Sequence, residues 1–469
     1  MTTLELSSAP DRFVLRGRKC AISLHASGLR HPRSLWWGGE VFTPYSEITH
    51  LALGSRVFEL ATRRGCHIFW RRSFCEVGAP VALYAALLER LRWEPDGAEQ
   101  LARMASLDAW YRARPVPRTT WILPVLCVVL ALLAHLSPNV SQAGVFSATL
   151  VSAGEHWRIA TANLLHLGEA HLLLNVLGLV ALGALLETAF GSAGLILIAG
   201  ASGLGAMSAG WFFDYEFALG ASGIVSGMAA AIVWLEFRCA EQLPAPLRFP
   251  RRLLIGVLAI EGLASLFLPF IAGAAHAGGF VTGLAASALL GGPVPRRSAP
   301  PRWLVASNMV LAALFVASLT VGARLALGDP EALEHGAERL LARPRVSDMW
   351  LNNYAWMIAT ARTPDQETLR AGLALARKAA VKTRHRDPNV LDTLAEFYFR
   401  LGDEERALAA IDAAITLAPE EPYFQEQRKR FVGERAADDR PKPPASAPPS
   451  HSPERPSKKD LKADSNLKV

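Results

Sequence analysis

Seven apolar stretches of 17 to 21 residues, at 119–136, 172–190, 193–213, 219–235, 253–271, 274–290 and 303–321, constrain this chain more than any other feature. A spanning helix needs about 20 apolar residues at 1.5 Å rise each. Lipid offers the backbone no hydrogen-bond partners, so such stretches must be helical. Their crowding between 117 and 323 predicts a polytopic membrane helix bundle. The first begins more than a hundred residues into the chain, too late for a signal peptide, and is expected to act as an uncleaved anchor.

Composition agrees. Apolar residues make up 51% of the chain and charged residues 19%, which argues against an ordinary soluble enzyme. The net charge of +7, from 49 Lys and Arg against 42 Asp and Glu, is too small and dispersed to imply a nucleic-acid partner. Basic residues collect at alternate ends of the stretches: Arg112, Arg114 and Arg118, then Arg238, Arg248, Arg251 and Arg252, then Arg296, Arg297 and Arg302. The other end carries Glu155, Arg158, Glu169, Asp214 and Glu216. The positive-inside bias therefore predicts a cytoplasmic N-terminus and, after seven spans, an extracytoplasmic C-terminal region. Five scattered cysteines, Cys20, Cys66, Cys75, Cys127 and Cys239, have no metal-ligand spacing and form no disulfide framework. No cofactor is expected.

The flanks differ from the bundle. Residues 1–116 read as short strands, at Phe13 to Leu15, Ala21 to Leu24, Val41 to Phe42, Ile48 to Leu53, Val57 to Ala61 and His67 to Trp70, followed by one helix through Val81, Leu87 and Leu91. Residues 324–432 are amphipathic. Within them 388–421 is a 34-residue unit with Leu394, Ala395, Tyr398, Gly402, Ala407, Ile411, Ala414 and Pro419, preceded by a degenerate partner around Asn353 to Ala379. Residues 433–469 hold seven prolines and mixed charge and are expected to be disordered. The fold class is thus mainly α, a membrane bundle with an N-terminal β-rich domain and a C-terminal helical-repeat domain.

Ionisable and strongly polar groups are costly inside a bilayer and so point to function. Few occur: His166, His171, Asn175, Ser222, Glu261 and His276. In the expected topology the second, fourth and sixth stretches enter from one side, which brings His171, Asn175, Ser222 and His276 to one level. A hydroxyl beside an imidazole suggests a nucleophile and its base. His171 and Asn175, four apart, share a helix face and suit a developing oxyanion. Gly220, Gly223 and Gly227, with Gly278, Gly279 and Gly283, would let the two helices approach closely. Glu261 is expected to be a protonated or paired carboxyl facing the bundle, with gating or pH sensing as the other reading. His166 is expected to be structural.

These residues resemble the rhomboid intramembrane serine proteases. The matching motifs are Trp157-Arg158, His166, HxxxN at His171 to Asn175, LGALLE ending at Glu187, GASG at 220–223 and AHAGGFVTG at 275–283. The resemblance covers about 119–323 and implies a six-helix core, to which this chain adds a seventh. It implies that Ser222 is the nucleophile and His276 its base, a dyad without an aspartate. It further implies that His171, Asn175 and the Ser222 amide form the oxyanion hole, and that Trp157 and Arg158 are structural. The fifth helix would gate access from the lipid. The implied activity is cleavage of peptide bonds in or beside transmembrane segments of membrane proteins; the alternative is a silent relative that binds client helices. The 388–421 unit resembles a tetratricopeptide repeat, and 1–116 a bacterial pleckstrin-homology-like domain. The expected partners are the lipid bilayer of a bacterial-type inner membrane and transmembrane substrates, together with either a protein partner for the repeats or simple packing of the repeats on the bundle.

Overall fold

The computed structural model describes residues 11–16, 21–33, 39–267, 272–294, 299–362 and 364–441. Cys20, Arg296, Arg297, the end of the fifth stretch at 268–271 and the tail from 442 onward lie outside the described residues.

The N-terminal region holds two antiparallel sheets. Strands β1 (Arg12–Val14), β2 (Ala21–Leu24), β3 (Gly28–Pro32) and β4 (Glu40–Pro44) form one, and β5 (Ile48–Leu53), β6 (Val57–Thr62) and β7 (Gly65–Trp70) the other, each in sequence order. Helix α1 (Ala79–Arg92) covers them, burying Leu83, Leu87 and Leu91 against Ile22, Leu29, Phe58 and Leu60. Strand β3 and a second helix, α2 (Gly97–Arg112), are additions to the sequence reading. Helix α2 docks partly through a polar residue: the buried Gln100 donates from Nε2 to the carbonyls of Tyr45 and Ile48 at 2.8 and 2.6 Å.

The bundle begins with α3 (Ile122–Leu136). Three short helices follow, α4 (Pro138–Gly144), α5 (Ala148–Ser152) and α6 (Arg158–Thr161). The second and third apolar stretches run on from one another as α7 (Gly168–Phe212), a helix broken at Gly191, where φ is 73° and ψ 171°. A left-handed φ of this kind favours glycine, and it lets two spans join without a loop. Then come α8 (Ser222–Arg238), α9 (Arg251–Phe267), α10 (Gly273–Leu290) and α11 (Arg302–Ala326). Among the described residues four helical segments are long and apolar enough to cross a membrane: Thr119–Leu136, Gly168–Phe212, Gly273–Leu290 and Arg302–Ala326. Helices α8 and α9, at 17 described residues each, fall just short of that length.

Glu187, at the end of the LGALLE motif, closes the first turn of the opening span. Its carboxylate accepts from the amides of Thr119 and Thr120 at 3.1 and 2.8 Å and from the hydroxyls of Thr120 and Ser192 at 2.8 Å each. An anion at a helix N-terminus satisfies amides that have no partner within the helix.

Six more helices follow among the described residues: α12 (Pro330–Leu341), α13 (Asp348–Thr360), α14 (Gln366–Lys382), α15 (Pro388–Arg400), α16 (Glu404–Leu417) and α17 (Pro422–Phe431). Asp or Ser side chains cap α12 to α16, which is why these short helices start where they do. Helix α13 packs on α14, and α15 on α16.

The flanking regions grip opposite ends of α8. At its Arg238 end the buried Arg248 side chain donates to both carboxylate oxygens of Glu236, at 2.8 and 3.2 Å, and to Ala240 O, at 2.7 Å. The same guanidinium reaches into the β-rich region, to Thr49 Oγ1 at 3.3 Å and Thr62 O at 3.0 Å. Beside it His50 Nδ1 accepts from the Ala245 amide at 3.1 Å, and Arg251 donates to Arg63 O at 2.8 Å. Near the Ser222 end the C-terminal helices share a core with the 137–165 segment, where Val145, Leu150 and Leu165 meet Leu333, Trp350 and Tyr354. Trp350 Nε1 donates to Glu216 at 3.2 Å, and Arg339 sits 5.8 Å from the Trp157 ring. The helical region therefore packs on the bundle.

Candidate active site

Ser222 is the first residue of α8 and His276 lies in the first turn of α10. His276 Nε2 is 2.7 Å from Ser222 Oγ, a hydrogen bond across 54 residues of sequence. Glycine makes this approach achievable. A Cβ at Gly279 would lie 2.1 Å from the Gly223 carbonyl oxygen, and one at Gly283 2.5 Å from Gly227 Cα. Backbone therefore touches backbone along the α8–α10 seam. At Gly220, where φ is +117°, a Cβ would strike the His171 ring at 2.6 Å.

The first turn of α8 has no side-chain cap, so its leading amides are available to an anion. The His171 ring lies beside them, with Nδ1 accepting from the Leu167 amide at 3.3 Å. Asn175 is buried and donates from Nδ2 to the His171 carbonyl at 2.8 Å, leaving the amide's second N–H for another acceptor. His166 has a supporting place: Nε2 accepts from the Ala221 amide at 3.4 Å, and its ring meets that of His171 edge-on at 5.2 Å. Tyr215 Oη accepts from the Ala274 amide at 3.1 Å, fixing the start of α10.

The Trp157-Arg158 segment is tied to its surroundings by hydrogen bonds from both side chains. Arg158 is fully buried, donating to Glu155 at 2.5 Å and to the carbonyls of Gln142 and Val145 at 2.8 and 2.7 Å. Trp157 Nε1 donates to Ala143 O at 3.0 Å. The loop is tied to the serine by a Gly220 amide bond to Ala162 O at 2.9 Å.

One neighbour of the Ser222–His276 pair has a place that the sequence did not specify. Glu261, on α9, places Oε1 3.1 Å from His276 Nδ1 and accepts from Ser226 Oγ at 2.8 Å.

Residues 153–293 match the family model of the rhomboid domain. The chain carries a rhomboid domain. Over 230 residues it is 29% identical to the rhomboid protease GluP of Bacillus subtilis (strain 168), covering 48% of this chain and 44% of that protein. It is 33% identical over 141 residues to the mitochondrial RHOMBOID-like protein 6 of Arabidopsis thaliana, covering 29% and 43%. It is 29% identical over 163 residues to RHOMBOID-like protein 5 of the same plant, covering 32% and 50%. The chain thus spans half or less of the length of these curated relatives. The rhomboid match contains all four candidate residues, Ser222, His276, His171 and Asn175, while α3, α11 and both flanking regions lie outside it.

Proposed function

We propose that the protein is an intramembrane serine endopeptidase that cuts membrane-protein substrates in or beside their transmembrane helices. The observation that carries this reading is the 2.7 Å contact between Ser222 Oγ and His276 Nε2 at the uncapped start of α8. As Oγ attacks the scissile carbonyl carbon, His276 Nε2 takes its proton. The oxyanion then forms against the Ser222 amide, the His171 ring and the free N–H of Asn175. Collapse of the tetrahedral adduct expels the amine, which receives the proton from His276, and water releases the acyl-enzyme by the same steps in reverse roles.

A helical substrate must unwind before its carbonyl is open to attack, so residues that break helices near the cut lower the barrier. The bundle lies in a bacterial-type inner membrane with the β-rich region cytoplasmic; the arginines at the Arg238 end of α8 support this orientation. Reporter fusions at residue 430 test the side of the helical region. Labelling of the purified, detergent-solubilised protein with a fluorophosphonate tests the activity. Labelling is expected for the wild type and lost in Ser222→Ala and His276→Ala. A folded wild type that does not label refutes the protease reading and leaves binding of client helices without cleavage.

A further inference from the structure

We infer that Glu261 completes the site as the positioning residue for His276, so that the dyad works as a Ser222–His276–Glu261 relay whose third member is carried on α9; the inference rests on the protease reading above. A histidine that accepts the serine proton on Nε2 must carry its own proton on Nδ1. Here Nδ1 is buried, and it needs an acceptor that holds this tautomer and offsets the charge of the imidazolium. Glu261 Oε1, at 3.1 Å, is that acceptor.

The contact is close but off-axis, for Nδ1–H has no well-aligned acceptor in this structure. A small displacement of α9 or turn of the ring would align it. The other polar groups around the ring do not compete for this role. Ser222 occupies the opposite nitrogen, Ser226 on α8 donates to Glu261 itself, His166 and His171 offer no anion, and Tyr215 is engaged with the Ala274 amide. Ser226 lies four residues after Ser222 and so on the same face of α8. It holds the carboxylate at the α8–α10 seam.

Glu261 is also the sole acidic residue in α9. Much of that helix faces outward, with Ile255, Val257, Ile260 and Leu263 all exposed, so beyond its first residue, where Arg251 donates to the Glu236 carbonyl on α8 at 2.7 Å, the links to Ser226 and His276 tie it to the bundle. Alignment of the base is thereby made conditional on where α9 stands.

The test is the fluorophosphonate labelling rate of the full-length protein as a function of pH, for wild type, E261Q, E261D and S226A. E261Q presents an amide to Nδ1 and is expected to label about 10- to 100-fold more slowly near neutral pH, less than for a wholly buried triad carboxylate because Glu261 is partly exposed. Its acid limb should also move, since the carboxylate that faces Nδ1 is gone. E261D, one methylene shorter, should fall between wild type and E261Q, and S226A should slow labelling with a smaller shift of the limb. A purely structural Glu261 would change the yield of folded protein and leave the limb in place. A folded E261Q, or E261D if E261Q does not fold, that keeps both the wild-type rate and the wild-type acid limb overturns the inference. A wild type that does not label removes the nucleophile, and the role of Glu261 with it.

Discussion

The α8–α10 seam gives the most exacting test of the site, through Gly279→Ala. The added Cβ would sit 2.1 Å from the Gly223 carbonyl oxygen and 3.1 Å from Gly223 Cα, and the atoms it meets are backbone that no rotamer change can clear. Ordinary contact distances require the helices to part by roughly 1 Å, at a packing cost of about 1 to 3 kcal/mol. Ser222 adjoins Gly223, and His276 stands one turn before Gly279, so the separation falls on the 2.7 Å hydrogen bond. Opened by that amount, the contact leaves hydrogen-bond range. A misplacement of 1 Å costs on the order of 100-fold in rate. The assay is the fluorophosphonate labelling rate, paired with thermal unfolding in detergent. Gly256→Ala on α9, where an added Cβ meets nothing within 4 Å, is the control and should leave both unchanged or slightly raise stability. A folded Gly279→Ala protein that labels within about threefold of wild type would refute the claim that this close approach sets the geometry.

Three further outcomes are expected. Arg248→Met strands the buried Glu236 carboxylate and should cost about 3 to 5 kcal/mol, whereas Arg248→Met with Glu236→Leu should recover most of it, as read by denaturation midpoints. The β-rich region should lose protection on acidification. Burial holds His31 below its ordinary value, and burial, with repulsion from the Arg252 and Arg33 charges, holds His67 down to about 3. Both stay neutral when folded and take up protons when unfolded, so their stabilisation is full above about pH 6.5 and falls as pH drops toward 3; hydrogen exchange at pH 5 and 7.5 reads it. The C-terminal helices should show the opposite sign. Burial pushes Asp392 up to about 7 despite hydrogen bonds from Tyr423 and Gln427, so its contribution is full below about pH 4 and lost as pH rises through 7. Asp392→Asn should flatten that dependence in thermal melts between pH 5 and 8.

The candidate site was largely legible because each motif residue is a local exception: a serine, two histidines and an asparagine in otherwise apolar helices, with glycines around them. Six of the seven strands were legible for the same kind of reason, their alternation. Strand β3 was not, because its run Gly28–Pro32 includes His31, which is buried and hydrogen-bonded to Thr43 Oγ1 at 2.9 Å although its type reads as polar. Helix α2 hides its inward face behind Gln100, whose side chain serves the carbonyls of Tyr45 and Ile48 in place of water. The Glu261 contact to His276 and the Arg248 contacts to Thr49 and Thr62 have no sequence signature. They depend on helix phase and on docking between segments up to 199 residues apart, which periodicity does not encode.

The Arg248 junction makes α9 a lever with its fulcrum at the β-rich region. From Arg251, bonded to Arg63, to Glu261 is ten residues, an arm of about 15 Å. A tilt of about 10° at the fulcrum would swing the end of that arm by roughly 2.6 Å. That stroke is comparable to the whole 3.1 Å gap between Glu261 and His276. A small torque applied at the β-rich region would therefore be magnified into making or breaking the Glu261 contact.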